Sequence, residues 1–235
     1  MSALISLTYD DALPVHRTHV APALAERGMR GTFYVPAAAG DLHEHIAEWR
    51  AVAAAGHELG NHTCWHPCRG RPTWLTPTYH LENYSRQRIR DEVLMANRVL
   101  HLIDGRTTRS FAATCGNLTC GEDDQSFVDD LRPLACAVRS GAAEAAITGP
   151  TPYLVNAVRG DGKTADELIA ISERLLTQPD AWMTILFHGV GAGTHGLFIS
   201  EADHTRYLDW LFSQGQRFTV VPVVEAVARR AAITQ

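Results

Sequence analysis

Apolar and polar positions alternate along this chain in a way that sets out its elements in order. Ala3–Thr8 forms a short β-rich run, and a helix-like stretch Val15–Arg27, closed by Gly28, separates it from a second such run, Gly31–Pro36. Glu44–Ala55 predicts a helix ending at Gly56, followed by an extended segment His57–Asn61. From Pro67 to Asn83 the pattern lapses into Pro, Thr, Gly and aromatic residues, long for a plain connection and therefore a candidate functional loop. Ser85 then opens a helix whose apolar positions Ile89, Val93, Ala96, Val99, Leu100 and Ile103 recur at helical spacing up to Gly105. Strands are expected at Arg109–Thr114, Leu134–Val138, Trp182–Phe187 and Phe218–Val221, and helices at Ala165–Leu176, Glu201–Phe212 and the C-terminus.

Strands that alternate with helices imply a parallel sheet, because a parallel pair needs a crossover that a helix usually supplies. Titratable residues cluster at the C-terminal ends of the expected strands, where barrel active sites assemble, so closure into a barrel is preferred to an open sheet. Nothing reads as an interdomain linker, and residues 1–235 are expected to form one domain.

Composition narrows the function classes. The formal charge of −5 leaves no electrostatic footprint for nucleic acid or an anionic membrane, and no stretch approaches the ~18 apolar residues of a transmembrane helix. A neutral or polar substrate suits the chain better. The five cysteines, Cys64, Cys68, Cys115, Cys120 and Cys136, are odd in number and lack paired C-x-x-C spacing. They are expected to be reduced thiols, with Cys64 and Cys68 buried as small apolar residues. Together with the absence of an export signal ahead of the first apolar run, this predicts a cytoplasmic setting.

Three stretches carry chemistry. Leu7-Thr-Tyr-Asp10-Asp11 puts adjacent carboxylates where the first strand leaves the core, so one can bind a metal while its neighbour stays free as a base. A helix N-cap is the competing explanation. His62-Thr-Cys-Trp-His66 places two imidazoles at i and i+4, which on a helical turn share one face, as a common metal requires. With Asp11 they make a three-ligand site with positions open for water and substrate, suited to zinc or another borderline divalent ion. Trp182-Met-Thr-Ile-Leu-Phe-His188-Gly ends the most apolar strand in a histidine followed by glycine.

In order and spacing, Thr8-Tyr-Asp10-Asp11, His62-Thr-Cys-Trp-His66-Pro67 and Leu186-Phe-His188 resemble signature motifs of the polysaccharide deacetylases, the NodB-homology or carbohydrate esterase family 4 domain. The resemblance implies a distorted (β/α) barrel of about seven parallel strands and a zinc-like ion held by Asp11, His62 and His66. It also implies Asp10 as general base, His188 as general acid, and hydrolysis of an N- or O-acetyl group of a saccharide. Where the family often carries an arginine that orients the base, this chain has Phe111-Ala-Ala-Thr-Cys115-Gly116, closer to a Phe-Ala-Tyr-Pro-Cys-Gly subgroup. Arg139 or Arg159 is a candidate replacement, Asp161 a candidate partner of His188, and the backbone N–H of Cys115 a candidate oxyanion donor. Trp65, Trp74, Tyr79 and Tyr84 either stack on sugar or pin the long loop to the barrel. The same resemblance admits hydrolysis of a small cyclic amide, and the missing arginine admits a saccharide-binding relative without turnover.

Overall fold

The computed structural model describes residues 3–142, 147, 152–178 and 180–233. Its frame is a ring of parallel strands: β1 (Ala3–Asp10), β2 (Thr32–Val35), β3 (Glu58–Asn61), β4 (Phe111–Ala112), β5 (Val138–Ala142), β6 (Leu154–Arg159) and β7 (Trp182–Phe187). Each pairs with the next, and β7 pairs back onto β1 from Leu4↔Trp182 to Tyr9↔Phe187, which closes a seven-stranded barrel. An eighth strand, β8 (Phe218–Val220), pairs with the start of β1, from Ala3↔Phe218 to Ile5↔Val220, ahead of the residues of β1 that pair with β2. The β4 contribution is only two residues, and β5 shifts register against β6 between Arg139 and Ala142, so the barrel is distorted as expected.

β1 and β7 are buried almost throughout, which explains their near-continuous apolar runs: strands inside a barrel wrapped by helices meet no solvent on either face. The wrapping helices are α1 (Ala21–Glu26), α2 (Gly40–Glu44), α3 (Ile46–Ala54), α4 (Arg86–Asp104), α5 (Ala165–Leu175), α6 (Glu201–Ser213) and α7 (Val223–Ile233). Ile5, Leu7, Tyr9, Phe33, Leu59, Ile185 and Phe187 from the strands pack in one core cluster with Leu24, Trp49, Leu100, Leu168, Tyr207 and Leu208 from the helices. At about 1.5–3 kcal/mol for each buried large apolar side chain, this layer is the main source of stability.

Local signals fix the helix ends. Ser85 caps α4 by accepting the Arg88 N–H at 3.1 Å, and Gly105 ends it in the left-handed region that glycine enters at no steric cost. α5 starts with a capping box between Thr164 and Glu167. At the N-terminal end of β3, buried Glu58 accepts from the Ser110 N–H, the Ser110 and Thr32 hydroxyls and the Val224 N–H, tying β2, β3 and α7 together. A buried carboxylate satisfied this fully is structural.

Several elements depart from expectation: β6 (Leu154–Arg159) was not among the expected strands, and the strand expected over Arg109–Thr114 is confined to Phe111–Ala112. The strand expected at Leu134–Val138 lies downstream, at Val138–Ala142, because Asp129–Leu131 forms a 3-10 turn and the chain becomes extended only after Ala137. The helix expected over Val15–Arg27 begins as a π-helical turn, His16–Val20, that runs into α1.

Candidate active site

The C-terminal ends of β1, β3, β4, β6 and β7 surround one cavity of about 770 Å³. Asp10 is the last residue of β1; Asp11 follows it with φ 81 and Ala12 with φ 51. That left-handed turn, which Asp tolerates better than most residues, brings the second carboxylate round to the same cavity as the first. An N-cap role is thereby replaced by convergence of both carboxylates on one space.

His62 and His66 meet in a way the i, i+4 spacing does not explain. The segment is a loop leaving β3, with Thr63 at φ 65 and His66 at φ 52, so the expected helical turn is absent. Side chains pin the loop instead. Asn61 Oδ1 accepts the Thr63 N–H at 2.8 Å while its amide donates to Val93 O and Asn97 Oδ1 of α4, and Thr63 Oγ1 accepts the His66 N–H at 3.0 Å. The two imidazole centroids end 4.9 Å apart.

Asp11 Oδ1 lies 3.5 Å from His62 Nε2 and 3.1 Å from His66 Nε2, yet this buried oxygen has no hydrogen-bond partner of good geometry among the described residues. Three donor atoms from separate segments, all within 4.8 Å of one another, with an orphaned carboxylate oxygen between two imidazoles, fit one divalent cation. His62 Nδ1 sits 2.9 Å from Ala112 O; as donor there it leaves the Nε2 lone pair for the shared point. Burial opposes ionisation of Asp11, but the facing imidazoles outweigh it and hold the carboxyl below the usual carboxylate range.

Asp10 is gripped by Arg139: one guanidinium nitrogen sits 2.5 Å from both carboxylate oxygens, and both side chains are buried. Arg139 is therefore the residue that faces the free carboxylate. Arg159 stands at the exposed end of β6, lines the cavity and makes no such contact. On the other wall His188 leaves β7. Its backbone N–H donates to Asp161 Oδ1 at 2.8 Å, and its Nδ1 meets Asp161 Oδ2 at 2.7 Å, leaving Nε2 for the cavity. Burial lowers the affinity of His188 for its proton, but Asp161, Asp10 and Asp11 more than compensate, so it holds the proton to higher pH than an ordinary imidazole.

Behind it lies a residue that the sequence reading passed over. Buried His16 accepts the Leu13 N–H on Nδ1 at 3.2 Å, so its Nε2 carries the proton and donates to the His188 carbonyl at 2.8 Å. Burial pushes its pKa down to about 4, which keeps it in this neutral form. Its signal was one polar residue on an otherwise apolar helix face.

Cys115, with φ 53 in the turn after β4, is disulfide-bonded to Cys68. The expectation of five reduced thiols is corrected accordingly: Cys64, Cys120 and Cys136 are free, and Cys68 is a buried half of a cross-link. The bond is possible because the loop after His66 folds back against the end of β4, where the Thr114 hydroxyl donates to Pro67 O. His66, Cys68 and Cys115 also form a compact donor cluster, but the disulfide occupies both sulfurs. Trp65, 51% exposed, stacks on Tyr79 at 5.4 Å, and Trp74, 66% exposed, leans over His66; both line the cavity. Tyr84 is buried and donates to Glu92, away from the cavity.

A family model described as polysaccharide deacetylase matches residues 2–123. Among solved structures, the chain is similar to the Xyl-CE4 domain of a multidomain xylanase from the hindgut metagenome of Trinervitermes trinervoides, at 17% identity and TM-score 0.62 over 98% of this chain and 92% of that one. A family 4 acetyl xylan esterase from Clostridium thermocellum in complex with a cobalt ion matches at 18% identity and TM-score 0.60, over 96% and 91%. A CE4 family pseudoenzyme from Bacillus anthracis matches at 17% identity and TM-score 0.59, over 96% and 66%. At these identities the likeness establishes the fold. No curated protein sequence matches the chain, and none of the described helices is long and apolar enough to cross a membrane.

Proposed function

The chain belongs to the polysaccharide deacetylase family, and from that premise we propose that it hydrolyses an N- or O-linked acetyl group of a saccharide by direct attack of water, without a covalent intermediate. The observation that carries this reading is the convergence of Asp11 Oδ1, His62 Nε2 and His66 Nε2 on one point of a cavity that Asp10 and His188 also face. Two imidazoles and one carboxylate suit zinc, and a divalent ion held by them would supply Lewis-acid polarisation of the acetyl carbonyl and a more acidic water. Asp10, oriented by Arg139, accepts the proton of the attacking water. The Cys115 N–H, at the cavity wall, donates to the oxygen on which negative charge builds. His188, its Nδ1 held by Asp161, donates from Nε2 to the departing amine or alkoxide, so that acetate and a neutral deacetylated sugar leave.

The exposed faces of Trp65 and Trp74 offer stacking surfaces for a sugar ring, and Arg159 adds a hydrogen-bonding group at the rim. The relatives carry both linkages in their names, an acetyl xylan esterase and a peptidoglycan deacetylase from Bacillus subtilis, so ester and amide are both candidate bonds here. The disulfide removes the argument from reduced thiols for a cytoplasmic setting.

The test is acetate release by zinc-loaded protein from a panel holding an acetylated xylo-oligosaccharide and an N-acetylglucosamine oligomer. Release from at least one member, abolished by chelation, restored by zinc and reduced at least about 100-fold in Asp10→Asn and in His188→Ala, is the expected result. Turnover that survives chelation, or no acetate from any member, refutes the reading; ring opening of a cyclic amide instead would redirect it.

A further inference from the structure

Beside His188 stands a second imidazole that neither the family motifs nor the mechanism above uses. We propose that His195 contacts the substrate, its Nε2 hydrogen-bonding a hydroxyl of the sugar next to the acetylated position; this rests on the deacetylase reading.

His195 lies on a loop that returns over the exit of β7. The loop is closed by a two-residue parallel ladder, Gly189–Val190 against Phe198–Ile199, with the Gly189 N–H donating to Leu197 O at 3.0 Å and the Gly191 N–H to Ile199 O at 2.9 Å. The Thr194 hydroxyl donates to Gly191 O at 2.7 Å. It closes so tightly that a Cβ on Gly189 would sit 2.4 Å from Thr194 Oγ1 and 3.0 Å from His195 Cβ, a separation that only glycine permits. The imidazole is thus held by built backbone structure.

Its orientation is equally defined. The ring stacks on His188 at 5.1 Å between centroids and 12° between planes, and Nδ1 is engaged by the Leu197 backbone, 3.0 Å from its N–H and 3.1 Å from its carbonyl. That leaves Nε2 for the cavity, which His195 lines. Nε2 is 3.9 Å from Asp11 Oδ2, too long for a hydrogen bond, and His195 is not among the donors that converge with Asp11, His62 and His66. Its polar atom therefore serves something other than the three-residue cluster. Because His188 must reach the leaving atom, the imidazole stacked flat on it meets the part of the sugar that carries that atom. A hydroxyl, both donor and acceptor, satisfies either tautomer.

Three variants separate this contact from mere packing. His195→Ala removes ring and polar atom, His195→Phe keeps a stacked ring without one, and His195→Gln keeps a polar group without the ring. Each is assayed for kcat and KM on penta-N-acetylchitopentaose and on acetylated xylo-oligosaccharide, for Kd of the same probes by calorimetry, and for zinc content. The Ala and Phe variants are expected to raise KM and Kd about 5- to 10-fold, with kcat within about twofold and zinc unchanged, and Gln to recover most of the loss. A Phe variant with unaltered KM and Kd, or an Ala variant that loses zinc, overturns the proposal. If the parent binds a probe but releases no acetate, weaker binding in the Ala and Phe variants still supports the contact while the deacetylase reading falls. A parent that neither binds nor hydrolyses either probe overturns both.

Discussion

Reduction of the Cys68–Cys115 bond is a perturbation whose size follows from chain length alone. The two residues are 47 apart in sequence, so in the chain-entropy model the cross-link removes about 4 kcal/mol of conformational freedom from the unfolded chain. For a chain of this size each kilocalorie shifts Tm by about 2–4 °C, so reduction, or the double substitution Cys68→Ala/Cys115→Ala, should lower Tm by about 8–16 °C. The first assay is a thiol count. Alkylation in denaturant without reductant should modify three cysteines, Cys64, Cys120 and Cys136, and a peptide map should recover Cys68 joined to Cys115. Denaturant titrations with and without reductant then give the stability difference. Five modified thiols in the unreduced protein would refute the pairing, and a confirmed cross-link with coincident titrations would refute the entropic reasoning. The bond also joins the loop bearing His66 to the turn bearing the Cys115 N–H, so reduction should lower the rate as well as Tm.

Three further outcomes follow from the site. Arg139→Met leaves Asp10 buried without its cation; breaking such a pair costs about 3–5 kcal/mol, read by denaturation, and kcat should fall at least tenfold, whereas an unchanged kcat would show that Asp10 needs no orienting group. Asp161→Asn replaces two acceptors with one acceptor and one donor facing two N–H groups, so His188 should give up its proton more readily and the basic limb of the kcat profile should move to lower pH. The sign for stability is the same: a raised histidine pKa stabilises fully below the unfolded value of 6.5 and is lost as pH rises through the folded value, so the variant's deficit should be largest below pH 6.5 and fade above it. Trp65→Ala should raise KM about 3- to 10-fold at constant kcat if its exposed face stacks on sugar, and an unmoved KM would assign the ring to packing on Tyr79.

Most barrel strands were legible because a buried parallel strand leaves an apolar run, as in Trp182–Phe187, whose bounds the structure reproduces, whereas β6 (Leu154–Arg159), with exposed positions among its buried ones, left no such run and was missed. Placement of Asp10, Asp11 and His188 in one cavity was legible for a related reason: they follow the apolar runs of β1 and β7, where a barrel strand opens into its active face, whereas His62 follows the polar-ended Glu58–Asn61 and was marked by its spacing to His66. The geometry of His66 was not, since i, i+4 spacing is the same whether the backbone is helical or, as here, turns through left-handed residues held by Asn61 and Thr63. The disulfide was hidden because Cys68 and Cys115 lie on different loops and spacing carries no information about loops that fold onto each other. His195 was hidden because a single histidine on a loop has no pattern, and His16 left only the faint mark of one polar residue on an apolar helix face.

The arginine missing from the motif shows how a sequence pattern can lapse while a guanidinium still meets Asp10. The motif that the sequence resembles would place that guanidinium in the stretch that is Phe111–Gly116 here, at the end of β4. In this chain Ala112 is paired in register with Arg139 on the neighbouring strand β5. Adjacent parallel strands lie about 4.8 Å apart, and an arginine side chain reaches farther than that, so a guanidinium anchored one strand over can occupy the same region above Asp10. Position along the sequence is therefore a poor guide to which arginine holds Asp10, whereas position around the barrel is a good one: Arg139 flanks β4, while Arg159 stands one strand further round and leaves Asp10 untouched. An Arg139→Lys variant isolates what the guanidinium adds to its charge, because lysine keeps the cation on the same strand but loses the second nitrogen that donates to Ser140 O, and it should fall between the parent and Arg139→Met in kcat.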